Sequence, residues 1–110
     1  MPRDHLGAVQ GDQVLVPNDM AIGAVEAIKA AGIKPGDLKM VSIDGTRGGF
    51  QLMIDGWLQA DVECNPLLGP QVMDLAVKLM NGEEIVKEVL TDEGVFYPDK
   101  ATELLPTRKY

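Results

Sequence analysis

The chain reads as an α/β protein: a three-layer parallel sheet with flanking helices. Three short apolar runs with strand character, Val14-Leu15-Val16, Met40-Val41-Ser42-Ile43 and Ala60 to Cys64, are each followed by an amphipathic stretch with helical spacing. Turn-forming residues separate them, and strand–helix alternation is the pattern of a parallel sheet covered by helices. At 110 residues there is room for one compact domain.

The first run ends at Pro17, and Asn18 or Asp19 suits the N-cap of a helix reaching about Ala31. Ile22, Val25, Ile28 and Ala31 follow the helical period, Gly32 is the expected stop, and Pro35-Gly36 marks a turn. The second strand halts at Asp44-Gly45. A second helix is expected over Gly48 to Gln59, with Phe50, Met53, Ile54 and Trp57 on its apolar face. After the third strand, Asn65-Pro66 has the form of a cap followed by a first-turn proline. Leu68, Val72, Leu75, Ala76 and Leu79 give that third helix a buried stripe, closed by Asn81-Gly82. Ile85 to Leu90 and Val95-Phe96-Tyr97 read as extended segments, and Asp99 to Leu105 as a last helical turn or two. Met20, Met53, Met73 and Met80 are read as core filler, Cys64 as a small buried apolar residue and His5 as solvent-exposed.

Composition narrows the function. Hydrophobic residues make up 45% and charged residues 25%, as in ordinary globular chains. A net charge of −7 leaves no basic field for phosphates, so no nucleic-acid partner is expected. A single cysteine excludes an internal disulfide and a multi-cysteine zinc site. No apolar run reaches transmembrane length, and Met1 to Leu6 lacks the apolar core of a secretion signal. No P-loop, dinucleotide fingerprint or serine elbow occurs, so neither enzymatic activity nor a cofactor is expected.

Open α/β sheets bind ligands beyond the carboxyl ends of their strands. Those ends carry Asn18-Asp19, Asp44-Gly45 and Cys64-Asn65, all on one edge if the strands are parallel. Carboxylates accept hydrogen bonds from hydroxyls, and the Asn amide donates and accepts, which suits a polyhydroxylated ligand such as a sugar. Asn18, Asp19, Asp44 and Asn65 are therefore the candidate sugar-binding residues. Each also has a local reading, since Asn and Asp cap helices and Asp-Gly is a common turn.

At these residues the sequence resembles the type I periplasmic sugar-binding proteins of the ribose and galactofuranose type. The carriers are Asn18-Asp19-Met20-Ala21-Ile22-Gly23-Ala24 with Ala27 to Gly32, then Val41 to Gly45, Met53 to Gly56, Val62 to Pro66 with Gly69-Pro70, and Tyr97-Pro98-Asp99 through Tyr110. The resemblance covers roughly residues 14–110. It implies a partial C-terminal lobe over residues 13–110, preceded by a segment 1–12 outside the family pattern. It further implies sugar contacts from Asn18 and Asp44, an ABC transporter permease as partner of the full-length protein, and a periplasmic location for that protein. Counting back from Met20 places Pro17 at the family's Asn position, and Cys64 stands where the family often has Gln. A fragment of this kind is expected to hold sugar weakly and to expose an open sheet edge that invites a homodimer. The alternatives are an effector-binding fragment of a LacI-type transcription regulator, or a structural remnant without activity.

Overall fold

The computed structural model describes residues 13–110. The N-terminal segment 1–12, His5 included, lies outside the described residues. Strand β1 (Gln13–Pro17) leads into helix α1 (Asn18–Ala30), and β2 (Lys39–Asp44) into α2 (Arg47–Ile54). Next come β3 (Ala60–Glu63), α3 (Gly69–Met80), the two-residue strand β4 (Val95–Phe96), α4 (Pro98–Leu104) and a 3-10 turn (Leu105–Thr107).

β1, β2 and β3 pair in parallel and in chain order, as the alternation predicts. The fourth strand departs from it: β4 pairs antiparallel with β3, Asp61 opposite Phe96 and Val62 opposite Val95. Returning a chain to the parallel direction takes a crossover connection, usually a helix packed on the sheet, and no residue of α3 is buried. Adjacent parallel strands in chain order, joined by right-handed crossovers, also put α1 and α2 on one face. The described residues therefore build two layers of the expected three, and the molecule is 17 Å across its thinnest axis.

The core lies between sheet and helices. Val16 and Met40 face it from the strands, Ala21 and Val25 from α1, Phe50, Leu52 and Met53 from α2, and Ala101 from α4. Phe50 and Phe96 meet edge to face with centroids 4.9 Å apart. α1 ends as predicted at Gly32, whose N–H donates to Lys29 O (2.9 Å) while Ile33 N–H donates to Ile28 O (3.2 Å). Trp57 is buried as expected, although it follows the end of α2, and Lys29 Nζ lies 5.9 Å from its ring centroid.

Several expected positions differ. α1 starts at Asn18 itself, with Pro17 in the cap position, and no side chain caps it. α3 starts at Gly69 with Pro70 in its first turn, so Asn65 and Pro66 do not open it. No residue of α3 is buried, and Val72 and Leu79 of its apolar stripe are exposed. The stripe reported amphipathicity, which needs a covering surface that the described residues do not supply. For the same reason Met73 and Met80 are exposed; Met20 is half exposed, and of the four methionines only Met53 fills the core. Cys64 is exposed just past the end of β3, and residues 85–90 form no strand. The radius of gyration, 17.6 Å, exceeds the roughly 13 Å of a compact chain of this length.

Candidate functional site

Parallel pairing brings the three strand ends to one edge, with Pro17 beside Ile43 and Asp44 beside Glu63. Beneath that edge lies a polar network inside the core. Ser42 and Asp61 occupy inward positions of β2 and β3 and are fully buried, as is Asn18 at the start of α1. Asn18 Nδ2 donates to Ser42 Oγ (2.7 Å) and Asp61 Oδ1 (2.9 Å). Asn18 Oδ1 accepts from Thr46 N–H (2.8 Å) and Thr46 Oγ (2.7 Å). Thr46 in turn caps α2, its Oγ accepting from Gly49 N–H (3.1 Å). One amide thus ties together β2, β3 and the start of α2.

The two donors and two acceptor sites of the Asn18 amide, the group expected to face a sugar, are all engaged inside the protein. The amide organises the edge.

Asp44 stands above the network. It is the only non-glycine residue with positive φ (129°) among those described, a conformation that side chains rarely adopt and that surrounding contacts must hold. Those contacts are present. Asn18 N–H donates to Asp44 Oδ2 (3.3 Å), and Cys64 N–H to Asp44 O (3.1 Å). Gly45 N–H donates to Asp61 Oδ1 (3.2 Å), and Gly45 O accepts from Arg108 Nε (3.0 Å). Asp44 is half-buried, and its Oδ1 has no hydrogen-bond partner among the described residues. A held carboxylate oxygen at a strand-end edge can accept from a ligand hydroxyl.

Asp19 and Asn65 are less well placed. Asp19 is exposed on the first turn of α1. Asn65 makes a local turn, its Oδ1 accepting from Leu67 N–H (2.8 Å) and its N–H donating to Glu93 Oε1 (2.8 Å).

A second cluster seals the other side of the edge. Glu63 Oε1 accepts from Arg108 (2.9 Å) and from the Tyr110 hydroxyl (2.7 Å), while Oε2 accepts from Gly94 N–H (3.0 Å). The Arg108 guanidinium lies 4.7–5.1 Å from the ring centroids of Phe50, Phe96 and Tyr110. Gly45 leaves room for this: with φ at +73°, a Cβ there would sit 3.2 Å from the Arg108 guanidinium and 3.3 Å from Glu63 Cα. Burial alone would raise the Glu63 carboxyl, but hydrogen bonds from Tyr110, Arg108 and Gly94 and the Arg108 charge outweigh it and lower the pKa. Burial and the bond to Glu63 push the Tyr110 phenol up to about 12.

Asp61 moves the other way. Desolvation raises its pKa against the bonds from Asn18 and Gly45, the Asp44 charge adds to the rise, and Asp61 Oδ2 is buried without a partner. A carboxyl raised on folding binds its proton more tightly in the native state, so its contribution is full below the unfolded pKa and is lost as pH climbs through the folded value. Asp61→Asn is therefore expected to gain stability relative to wild type as pH rises from about 4 to 7, since aspartate in an unfolded chain titrates near 3.9. Urea unfolding of both proteins at the two pH values measures this; a constant difference would show that folding does not perturb Asp61.

Sequence reasoning did not pick out Ser42, Thr46, Asp61, Arg108 or Tyr110. Ser42 carried a signal, being polar two residues after the inward apolar Met40 on β2, whereas Asp61 shares its side of β3 with Glu63 and carried none. Arg108 and Tyr110 carried none, because their partners lie far away in the chain. Among the described residues no group of three or more His, Cys, Asp or Glu side chains is placed to hold a metal ion.

No family model matches the chain. It is 33% identical over 95 residues to the fructose import binding protein of Bifidobacterium longum, covering 84% of this chain and 29% of that protein. It is 40% identical over 94 residues to the galactofuranose-binding protein of Escherichia coli, covering 84% and 30%. Among solved structures, a Mycobacterium smegmatis protein in complex with β-D-fucofuranose superposes with a TM-score of 0.83 at 48% identity, covering 92% of this chain and 34% of that one. The periplasmic binding protein component of the arabinose ABC transporter from Shewanella sp. ANA-3, bound to α- and β-L-arabinofuranose, gives 0.77 at 37% identity, covering 88% and 33%. The chain thus spans less than a third of the curated relatives it matches.

Proposed function

Because the chain is homologous, over most of its own length, to a part of the periplasmic sugar-binding proteins of the ribose and galactofuranose type, we propose that it is the corresponding part of the substrate-binding component of an ABC-type sugar importer. In this reading it binds and does not catalyse, its full-length form works outside the cytoplasm, and that form hands a sugar to a membrane permease. Furanose sugars are the favoured ligands, since the two sugar complexes described above hold furanoses. The observation that carries the reading is Asp44: a strained, clamped carboxylate with a free oxygen, set where parallel strands end. Asp44 is the sugar contact, Asn18 positions it from below, and Asp19 and Asn65 lie at the rim. The effector-domain alternative draws no support from the relatives named, which are binding and transport proteins.

Sugar pockets bury most of their ligand, and one edge of a two-layer sheet does not. The isolated chain is expected to bind L-arabinose or D-galactose no more tightly than about 1 mM, equivalent to roughly −4 kcal/mol. Nitrogen–proton correlation spectra at tens of millimolar sugar measure this, with shifts expected at Gly45 and Thr46 and their loss in Asp44→Ala. Shifts that persist in Asp44→Ala would overturn the assignment of Asp44. Micromolar affinity would overturn the incompleteness of the pocket.

A further inference from the structure

The turn at Asp44 and Gly45 is held at both of its peptide planes. In the plane between the two residues, the Asp44 carbonyl accepts from Cys64 N–H (3.1 Å) and the Gly45 amide donates to Asp61 Oδ1 (3.2 Å). In the next plane, Thr46 N–H donates to Asn18 Oδ1 (2.8 Å) and Gly45 O accepts from Arg108 Nε (3.0 Å). Three of these partners belong to β3, the residue after it and the start of α1. The fourth, Arg108, lies 63 positions along the chain from Gly45, past the 3-10 turn. Gly45 has no Cβ to resist rotation, so its carbonyl stays in place only where something holds it. A backbone conformation such as that of Asp44 persists only where contacts over-determine it, and losing one hold lets it relax.

Arg108 is firmly placed to hold that oxygen. Its Nη2 donates to Glu63 Oε1 (2.9 Å) and to the Tyr110 hydroxyl (2.6 Å), and the rings of Phe50, Phe96 and Tyr110 surround the guanidinium. Nε and Nη2 are the two donors along one edge of a rigid planar group, so that edge spans the Gly45 carbonyl and the Glu63 carboxylate at a fixed separation. The two acceptors are neighbours because Asp44 pairs with Glu63 across β2 and β3. The backbone around Arg108 is pinned as well: Arg47 N–H donates to Tyr110 O (2.8 Å), and Arg47 Nη1 to Arg108 O (3.0 Å). Only 12% of the Arg108 side chain and 11% of Glu63 reach solvent, so the pair acts on the turn and not on a ligand.

We propose that Arg108 is a positioning residue for Asp44. Anchored by Glu63 and Tyr110, it fixes the Gly45 carbonyl and thereby keeps Asp44 at positive φ, with Oδ1 left for a sugar hydroxyl. Lysine does not replace it, since a single ammonium lacks the planar fork that reaches both oxygens at once. The hold on the turn follows from these contacts alone, whereas its effect on sugar binding rests on the reading of Asp44 as the sugar contact.

Magnetic resonance of the full chain tests this in Arg108→Lys, Tyr110→Phe and Lys109→Ala. The readouts are the Asp44 HN–Hα coupling, which follows φ, and the shifts of Gly45 and Thr46 with added L-arabinose. In Arg108→Lys the coupling is expected to move toward that of an ordinary negative φ. The slope of shift against sugar is expected to fall about tenfold, the equivalent of one charge-assisted hydrogen bond. Tyr110→Phe keeps the ring and the ion pair, and should move both readouts the same way by less. Lys109→Ala removes an exposed positive charge from the same segment and should leave both unchanged. A wild-type coupling in Arg108→Lys overturns the proposal, as does an equal change in Lys109→Ala, or an unchanged slope where the wild type responds to sugar. If Arg108→Lys does not fold, Tyr110→Phe decides, and a wild-type coupling there overturns it. A coupling that moves as expected, in a protein whose wild type shows no arabinose response, refutes Asp44 as the sugar contact and leaves the hold of Arg108 on the turn standing.

Discussion

Gly49→Ala is expected to lower folding stability by about 3 kcal/mol or more, the upper range for forcing atoms into a packed core. Helix propensity alone argues the opposite, since glycine inside a helix costs about 0.5–1 kcal/mol relative to alanine. Position decides between them. A Cβ on Gly49 would overlap Asn18 Oδ1 and Asp61 Oδ2, both atoms of fully buried side chains in the polar network. Neither can retreat, because Asn18 is fixed by bonds to Ser42, Asp61 and Thr46. The neighbouring Gly48→Ala is the control. Its Cβ would meet Ile22 Cδ1, the tip of a flexible side chain that is 40% exposed and free to turn away. Thermal unfolding of the two variants should separate them by roughly 10 °C or more, at about 4–8 °C per kcal/mol for a domain near this size. If Gly49→Ala melts with wild type, the packing of the network around α2 is wrong.

Asn18→Ala is the second large expectation, with a loss on the order of 3 kcal/mol. The substitution removes four hydrogen bonds at once, and each buried group left unpaired costs about 1–3 kcal/mol. Ser42 Oγ keeps its bond to Val16 O (2.7 Å) and Asp61 Oδ1 keeps Gly45 N–H (3.2 Å), so the damage concentrates at Thr46 and the start of α2. Asn18→Asp gives a sharper test. A carboxylate there faces Asp61, and two carboxylates sharing a buried site cannot both ionise. That variant should be less stable than wild type at neutral pH and should recover much of the loss on acidification toward pH 4. Urea titrations at both pH values measure it. A loss under about 1 kcal/mol in Asn18→Ala would reduce Asn18 to an ordinary helix-start residue.

Asn18 also shows where sequence reading stops. Asn after a proline-ended strand has the local signature of an N-cap and, equally, of a ligand contact. It does not cap α1, because the side chain turns inward to Ser42 and Asp61, residues 24 and 43 positions away. Asp44 shows the reverse. Its place at the end of β2, before a glycine, was legible from the Asp-Gly pair, but its positive φ and its clamping by Asp61 and Arg108 through Gly45 were not. The α3 stripe failed in another way. Its spacing was read correctly as amphipathic, and the assumption that an apolar stripe is buried proved wrong here.

The sequence by itself determined the order of strands and helices, the stops at Gly32 and Gly82, and the gathering of polar residues at the strand ends. These depend on hydrophobic period, turn chemistry and the handedness of crossovers, all expressed within a few neighbouring residues. Only the tertiary structure decided which polar residue faces inward, that β4 runs antiparallel, that Arg108 and Tyr110 fold back onto Glu63, and that one face of the sheet stays bare. Those outcomes depend on contacts between residues far apart in the chain. A side chain's local pattern states what it can bond to, while the distant backbone it meets determines which of those bonds form.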